Sequence, residues 1–340
     1  MSKCDEAFKF AQEVINQPYL EDLIKDRPLK GYWGTAPTGR PHVAYLFPIL
    51  TISRMIKAGC QMTVMFADYH ALLDNNKTEW EVLHSRTEYY MIVIKKLLEL
   101  TGADTSSVRF VKGTDFQRGN PIYLDDLMRL TSKVTAKIAQ KASAEVVKSN
   151  KDPLLSNLLY PVMQILDEVH LGTDFELGGV DQRKIFMAAI DYLPRIGVTT
   201  KRAYVMTPMI NSLEKEGKMS ASDVNSKIDL LDSEEDIKEK CSKAWSLDGK
   251  VEGNGVLQIY KYIIFDFYPE VKVTRPEKYG GDVTFNCYED LEKSFIEYTI
   301  ASVDLKGTLG TLLAQILKPV RDSVLAEYPD LLARAYPTTS

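Results

Sequence analysis

The sequence predicts an α/β chain: a doubly wound parallel sheet followed by a mainly α-helical C-terminal domain. Three observations carry that expectation. Short apolar strand patterns alternate with helical ones through the first part of the chain. A turn rich in glycine and proline, Gly34-Thr35-Ala36-Pro37-Thr38-Gly39-Arg40-Pro41, joins the first strand to a helix. From Ser233 onward acids outnumber bases, and helical patterns dominate up to a Pro-containing tail.

Taken in order, residues 5–26 read as helical, with Phe8, Ala11, Val14 and Ile15 on one apolar side. Leu29 to Gly34 is a short strand, and His42 to Ala58 is a helix stopped by Gly59. Gln61 to Asp68 is a buried strand, Glu79 to Leu100 a long amphipathic helix, and Val108 to Lys112 another strand. Helical pattern then runs to about Lys148, and a further helix begins near Tyr160-Pro161. Phe175 to Val180 reads as a strand edge leading into Asp181-Gln182 and a helix through Ile190. Composition changes after Gly217–Ser222, which puts a domain boundary near residues 223–232 and divides the chain into 1–228 and 229–340.

Composition excludes several classes. The 340 residues are 45% hydrophobic and 26% charged, enough for a substantial core. A net charge of −5 provides no global field for polyanions, so a nucleic-acid partner would need local basic patches. No apolar run approaches the roughly 20 residues that span a bilayer, since Lys95 and Lys96 break the nearest candidate. The acid-containing start lacks the pattern of a signal or transit peptide. Cys4, Cys60, Cys241 and Cys287 form no CxxC pair and no metal spacing, which predicts reduced thiols, a cytoplasmic protein and no structural metal.

Three constellations carry chemistry. In the first, backbone N–H groups at a helix start face the crevice beyond a strand end, a setting suited to phosphate. Gly34, Gly39 and Ala44 permit close approach to the backbone, and His42 in the first turn offers a donor to phosphoryl oxygens. Alone, the segment equally fits a capped helix with a buried histidine. The second is Lys218-Met219-Ser220-Ala221-Ser222, a lysine and two hydroxyls on a short loop. Such a loop can follow charge as it builds on a leaving pyrophosphate, although exposed loops often look the same. In the third, Tyr160, Gln164 and Asp167 are spaced i, i+4, i+7 and share one helical face. That face reads as a polar claw or as a solvated surface.

The pair His42-Val43-Ala44-Tyr45 and Lys218–Ser222 resembles the HIGH and KMSKS signatures of class I aminoacyl-tRNA synthetases. Tyr32-Trp33-Gly34-Thr35, Phe66-Ala67-Asp68, Gly113-Thr114-Asp115, Tyr160-Pro161 and Gly178–Lys184 look like the tyrosyl-tRNA synthetases of the eukaryotic and archaeal type. The resemblance covers essentially the whole chain. It implies a Rossmann-like catalytic domain with an inserted helical dimerisation segment at about 114–140, then a helical anticodon-binding domain.

It also implies tyrosine, ATP with Mg²⁺ and tRNA(Tyr) as substrates, no protein-bound metal, and a homodimer. By resemblance Tyr32 and Asp167 bind the substrate phenol, and Tyr160, Gln164 and Gln182 hold its ammonium group, with His70 lining the same pocket. Gly34, Thr35, Gly39, His42, Ala44, Tyr45, Gly179, Asp181, Met209, Lys218, Met219 and Ser220 would surround ATP. Asp181 would hold the ribose and Met209 would pack near the adenine. His42, Lys218, Ser220 and Ser222 would stabilise the transition state. Tyrosyl-tRNA synthetase is itself the standard example of discrimination against phenylalanine, about 10⁵ without editing; that magnitude comes with the family.

The sequence departs from the family pattern at three places. The second histidine of HIGH is Tyr45 and its glycine is Ala44. The second lysine of KMSKS is Ala221, for which a solvent monovalent cation or Lys215 is the expected substitute. On the RNA side, Tyr279 matches an aromatic that stacks on an anticodon base and Asp304 its acidic partner, but the preceding His-Pro is Ala301-Ser302. Lys133, Lys137 and Lys141, at i, i+4, i+8, offer a stripe for acceptor-stem phosphates or simply a solvated face. Competing readings are a tryptophanyl-tRNA synthetase, a small-molecule nucleotidylyltransferase and a non-catalytic RNA-binding paralogue.

Overall fold

A computed structural model of the chain describes residues 6–147, 152–214, 219 and 227–337. Its centre is a six-stranded sheet in the order β1-β6-β5-β2-β3-β4. The strands are β1 (Glu13–Ile15), β2 (Lys30–Thr35), β3 (Gln61–Phe66), β4 (Arg109–Lys112), β5 (Phe175–Gly179) and β6 (Ala203–Thr207). All pairings are parallel except that of β1 with β6. The chain moves outward from β2 to β3 and β4, then returns to the other side of β2 for β5 and β6. The strand order therefore reverses between β2 and β5, where Tyr32 pairs with Glu176. In an open α/β sheet this reversal opens a crevice at the C-terminal strand ends.

Strand alternation sorts side chains onto two faces. Trp33, Val64, Phe66, Phe175, Leu177 and Val205 join one apolar cluster with α2 (Leu46–Lys57) and α4 (Trp80–Leu100). Tyr204 and Met206 join the opposite cluster, with Ile165 and Leu166 of α8 (Leu155–His170) and Ile185 and Phe186 of α9 (Arg183–Tyr192). The expected doubly wound layering is therefore present. The first cluster continues without interruption into Val256, Ile259, Leu305 and Leu313 of the C-terminal helices.

Several local expectations differ from the structure. Residues 5–26 are not one helix. Glu13–Ile15 is the edge strand β1, Asn16 takes a left-handed φ of 61°, and α1 (Gln17–Asp26) restarts with proline in its first turn. The β-branched pair Val14-Ile15 fits the vacant edge of β6 better than it fits a helix. The helix expected near Tyr160 starts at Leu155, where Asn157 Oδ1 accepts the Leu154 N–H at 3.2 Å; Pro161 lies inside it. β5 is an interior strand, with β6 (unforeseen, like β1) beside it. The helical run to Lys148 is divided into α5 (Gly113–Gln117), α6 (Pro121–Thr131) and α7 (Ala136–Ser143).

The C-terminal part adds an antiparallel pair, β7 (Val271–Val273) with β8 (Val283–Phe285), to otherwise helical elements. Its long helix α13 (Ser302–Glu327) packs against α10 (Glu234–Lys243), while α14 (Leu331–Ala335) packs on α4. Between these come α11 (Gly255–Ile259) and α12 (Tyr288–Ile296). Among the described residues no helix is long and apolar enough to cross a membrane.

Candidate active site

The strand ends of β2, β3, β5 and β6 open into a cleft of roughly 380 Å³. Tyr32, Gly34, Thr35, His42, Ala44, Tyr45, His70, Tyr160, Gln164, Gly179, Asp181, Gln182, Met209 and Met219 line it, all of them residues that the sequence had nominated. Two motifs meet beneath its rim, where Asp68 Oδ1 accepts the Thr114 N–H at 3.0 Å. Gly39 is not part of the lining. Its carbonyl accepts the hydroxyls of Tyr90 (2.6 Å) and Tyr336 (3.0 Å), so it supports the turn from behind.

The inner end of the cleft is polar and incompletely bonded. Asp167 is fully buried on α8 and accepts Gln117 Nε2 (2.8 Å) and the Tyr123 hydroxyl (2.9 Å), both at Oδ1. Its Oδ2 has no hydrogen-bond partner and lies 3.7 Å from His70 Nε2. Both His70 nitrogens are likewise unpartnered, as is the Tyr32 hydroxyl, which lies beside Glu176. Buried polar atoms are normally paired, so a group of orphans around one space indicates a polar ligand end.

Burial dominates the electrostatics there. It pushes Asp167 up to about 8 and Glu168 to about 7, and raises Glu176 as well. It holds His70 down to about 4, hence neutral. Burial thus favours the neutral acid form of Asp167 at pH 7. Since Oδ1 already accepts two hydrogen bonds, the proton belongs on Oδ2.

This has a consequence for stability. Folded Asp167 and Glu168 retain protons that the unfolded chain has already released above about pH 4, so stability falls as pH rises through their folded values. His42 and His70 titrate below these values in the folded state and near 6.5 unfolded, so above pH 6.5 their contribution is largely complete. Thermal unfolding should therefore shift downward between pH 6.5 and 8, with Asp167 alone contributing about 1–2 kcal/mol. Asp167→Asn should flatten that slope; an unchanged slope would refute the assignment.

Gln164 occupies the middle of the cleft. Its Nε2 donates to Glu176 Oε1 (2.9 Å) and to Gln182 Oε1 (3.0 Å), and Gln182 Nε2 reaches Asp181 Oδ1 at 3.3 Å. Tyr160 packs edge-on to His70, with ring centroids 4.7 Å apart. Of the face expected from the i, i+4, i+7 spacing, Tyr160 and Gln164 line the cleft, while Asp167 is buried behind His70 and outside the lining.

In the glycine- and proline-rich connection after β2, His42 precedes a short turn, Val43–Tyr45, that leads into α2. The Val43 N–H is bonded to Ile228 O (2.8 Å) and His42 bridges Asp229, which anchors the segment to residues 227–232. Burial, with help from Lys227, lowers His42 to about 3, so it is a neutral donor rather than a cation. Its Nδ1 is buried and unpartnered. Tyr45 packs edge-on against the imidazole at 5.1 Å and lies within reach of Thr35 Oγ1 (3.4 Å). A Cβ at Gly179 would come within 2.5 Å of Met209 Sδ and 2.7 Å of Asp181 Oδ1, so a larger residue there would displace both side chains. Met219 is buried and its N–H reaches Ile210 O at 3.2 Å. Lys215, Lys218, Ser220, Ala221 and Ser222 lie outside the described residues.

The RNA candidates are all on the surface. Lys137 and Lys141 share α7, but Lys133 precedes it, because Thr135 Oγ1 caps the helix by accepting the Ile138 N–H. The three lysines are exposed but do not form one helical stripe. Tyr279 is 62% exposed in the β7–β8 connection, followed by Gly280 at φ 101°, with Lys278 Nζ 4.7 Å above its ring. Arg275 ties this loop to Gly281 O and Thr299 O, both at 2.6 Å, near the first turn of α13 where Asp304 sits. Ser302, in place of the family's proline, bonds through its N–H to Asp248 Oδ1 (2.6 Å).

Sequence reading missed Gln117, Tyr123, Glu168 and Glu176. The first two announce nothing, since they reach Asp167 from another element. Glu176 did leave a signal: a carboxylate within the apolar strand Phe175–Gly179.

These features define a Rossmann-like α/β protein whose cleft lies at the switch point of the sheet and ends in a small polar pocket. A family model for class I tRNA synthetases (W and Y) matches residues 25–318, and the chain belongs to that family. The cytoplasmic tyrosine–tRNA ligase of Gallus gallus is 47% identical over 97% of this chain, which spans 62% of that relative's length. The Saccharomyces cerevisiae cytoplasmic tyrosine–tRNA ligase is 40% identical over 98% of this chain and 87% of its own. The crystal structure of tyrosyl-tRNA synthetase from Archaeoglobus fulgidus, complexed with L-tyrosine, superposes with a TM-score of 0.86 at 32% identity, covering 94% of this chain and 98% of that one.

Proposed function

We propose that the chain is a tyrosine–tRNA ligase that activates tyrosine with ATP and transfers it to tRNA(Tyr). The observation that carries this reading is the orphaned polar end formed by Tyr32 Oη, His70 and Asp167 Oδ2, which suits a phenol. Relatives named for tyrosine support it over the tryptophan reading. A phenol can both donate and accept among these groups, whereas an indole N–H only donates.

In the proposed first step the tyrosine carboxylate attacks the ATP α-phosphorus. A P–O bond forms, the bond to the β-phosphate bridging oxygen breaks, and pyrophosphate leaves with that electron pair. The carboxylate is already ionised, so no base is required. What the protein provides is position and charge stabilisation. His42 donates as a neutral imidazole; Lys218, Ser220 and Ser222 are assigned to the leaving pyrophosphate, Asp181 to the ribose and Met209 to the adenine. Mg²⁺ would arrive on the ATP phosphates. The terminal ribose hydroxyl of tRNA then attacks the adenylate carbonyl, releasing AMP.

In this reading residues 1–228 activate tyrosine and 229–340 meet the anticodon, in the cytoplasm. A homodimer would form through the 114–140 segment, where Ile122, Leu124 and Met128 of α6 expose apolar surface. Tyrosine-dependent ATP–pyrophosphate exchange, followed by aminoacylation, tests the proposal. Tyr279→Ala should leave exchange intact and raise the KM for tRNA about tenfold, as expected for losing roughly 1–3 kcal/mol of base stacking. Loss of exchange in that variant would remove Tyr279 from the RNA side.

A further inference from the structure

Glu176 lies on β5 between Phe175 and Leu177, which point into the apolar cluster on the opposite face. Its own side chain lines the cleft and is almost wholly buried, flanked in register by Tyr32 of β2 and Tyr204 of β6. A carboxyl group in such a place is costly unless it is hydrogen-bonded, and an apolar side chain of similar size would serve the fold at least as well. Glu176 accepts a hydrogen bond from Gln164 Nε2 at 2.9 Å and lies beside the Tyr32 hydroxyl.

That bond fixes which way the Gln164 amide faces. A glutamine amide carries two N–H donors and one carbonyl acceptor. Glu176 Oε1 takes one donor and Gln182 Oε1 takes the other, at 3.0 Å. The carbonyl Oε1 is the group left for a ligand, and a carbonyl accepts hydrogen bonds from an ammonium. Without Glu176, the amide can rotate and present N–H₂, which repels a cation.

We infer that Glu176 is a positioning residue for substrate specificity: by engaging Gln164 Nε2 it holds the Gln164 carbonyl toward the α-ammonium group of the amino-acid substrate. The inference rests on the proposed role of Gln164 in holding that ammonium. Glu176 itself acts through Gln164 and needs only an acceptor oxygen, not a negative charge.

The full chain tests this with two competitive inhibitors of tyrosine-dependent exchange. Tyramine has the phenol and the ammonium without the carboxylate; 3-(4-hydroxyphenyl)propionate has the phenol and the carboxylate without the ammonium. Glu176→Met should weaken tyramine about tenfold, the size of one lost hydrogen bond to a charged group, and change the propionate less than about twofold. Glu176→Gln, which keeps an acceptor, should leave tyramine within about threefold of the native value. Equal weakening of both inhibitors by Glu176→Met, or no weakening of tyramine, overturns the inference. A loss of tyramine above about tenfold in Glu176→Gln overturns it independently, and does so even where the methionine variant does not fold. Gln164→Ala separates the two levels. If it leaves tyramine unchanged, the ammonium assignment itself fails and takes this inference with it. If it weakens tyramine while Glu176→Met does not, only the role of Glu176 is lost.

Discussion

His42→Ala should lower the rate of tyrosine-dependent pyrophosphate exchange by about 10²–10³ while leaving tyrosine binding nearly unchanged. The reason lies in where the donor sits. His42 stands at the entrance to the Val43–Tyr45 turn with its ring braced by Tyr45, and the backbone on either side is bonded to residues 227–232. A donor fixed in this way needs no reorganisation when charge develops on phosphoryl oxygens, which is when it contributes most. Its depressed pKa, about 3, makes it neutral throughout the working range. The native enzyme should therefore show no titration of exchange assignable to His42 between pH 6 and 8. Stopped-flow or exchange kinetics at saturating tyrosine and ATP would measure the rate loss. A raised KM for tyrosine at an undiminished rate would place His42 in the amino-acid pocket and refute its assignment to the phosphates.

How far the sequence revealed this arrangement depends on the range over which each signal acts. The claw of Tyr160, Gln164 and Asp167 was legible because helical periodicity alone places i, i+4 and i+7 together. The strands β2, β3 and β4 were legible as apolar runs between turns. β6 was not: Ala203–Thr207 is a run of five residues whose identity as a strand depends on β5 beside it and β1 beyond. The edge strand β1 was lost for a related reason, since three residues carry too little periodicity to compete with the helix that follows. Lys133 looked continuous with Lys137 and Lys141 until Thr135 capped the helix between them. The support of Asp167 was invisible, because Gln117 and Tyr123 reach it only after the chain has returned to the sheet. Glu176 stood out as a charge in an apolar strand, but its meaning required Gln164.

Asp167→Ala should lower kcat/KM for tyrosine by at least about 10² and reduce most of the preference for tyrosine over phenylalanine. Discrimination of this kind depends less on what the correct substrate gains than on what the wrong one leaves unpaired. Phenylalanine in this pocket would leave Asp167 Oδ2, the Tyr32 hydroxyl and His70 without partners, all of them buried. Removing the Asp167 carboxyl eliminates one of these penalties and one of tyrosine's partners, so the two substrates converge from both sides, tyrosine losing and phenylalanine gaining. The same substitution also releases Gln117 Nε2 and the Tyr123 hydroxyl, each bonded to Oδ1, and adds a cost of about 1–3 kcal/mol per unsatisfied group to the pocket's own stability. Asp167→Asn separates these effects, because an amide oxygen can keep both bonds while the Oδ2 position becomes a fixed N–H₂ donor. If Asp167 meets the phenol as the neutral acid favoured by burial, the asparagine variant should retain much more activity than the alanine variant at pH 7. Exchange assays with both amino acids across the three proteins decide the matter. Equal losses for tyrosine and phenylalanine in Asp167→Ala would mean that the carboxyl holds up the pocket without reading the phenol.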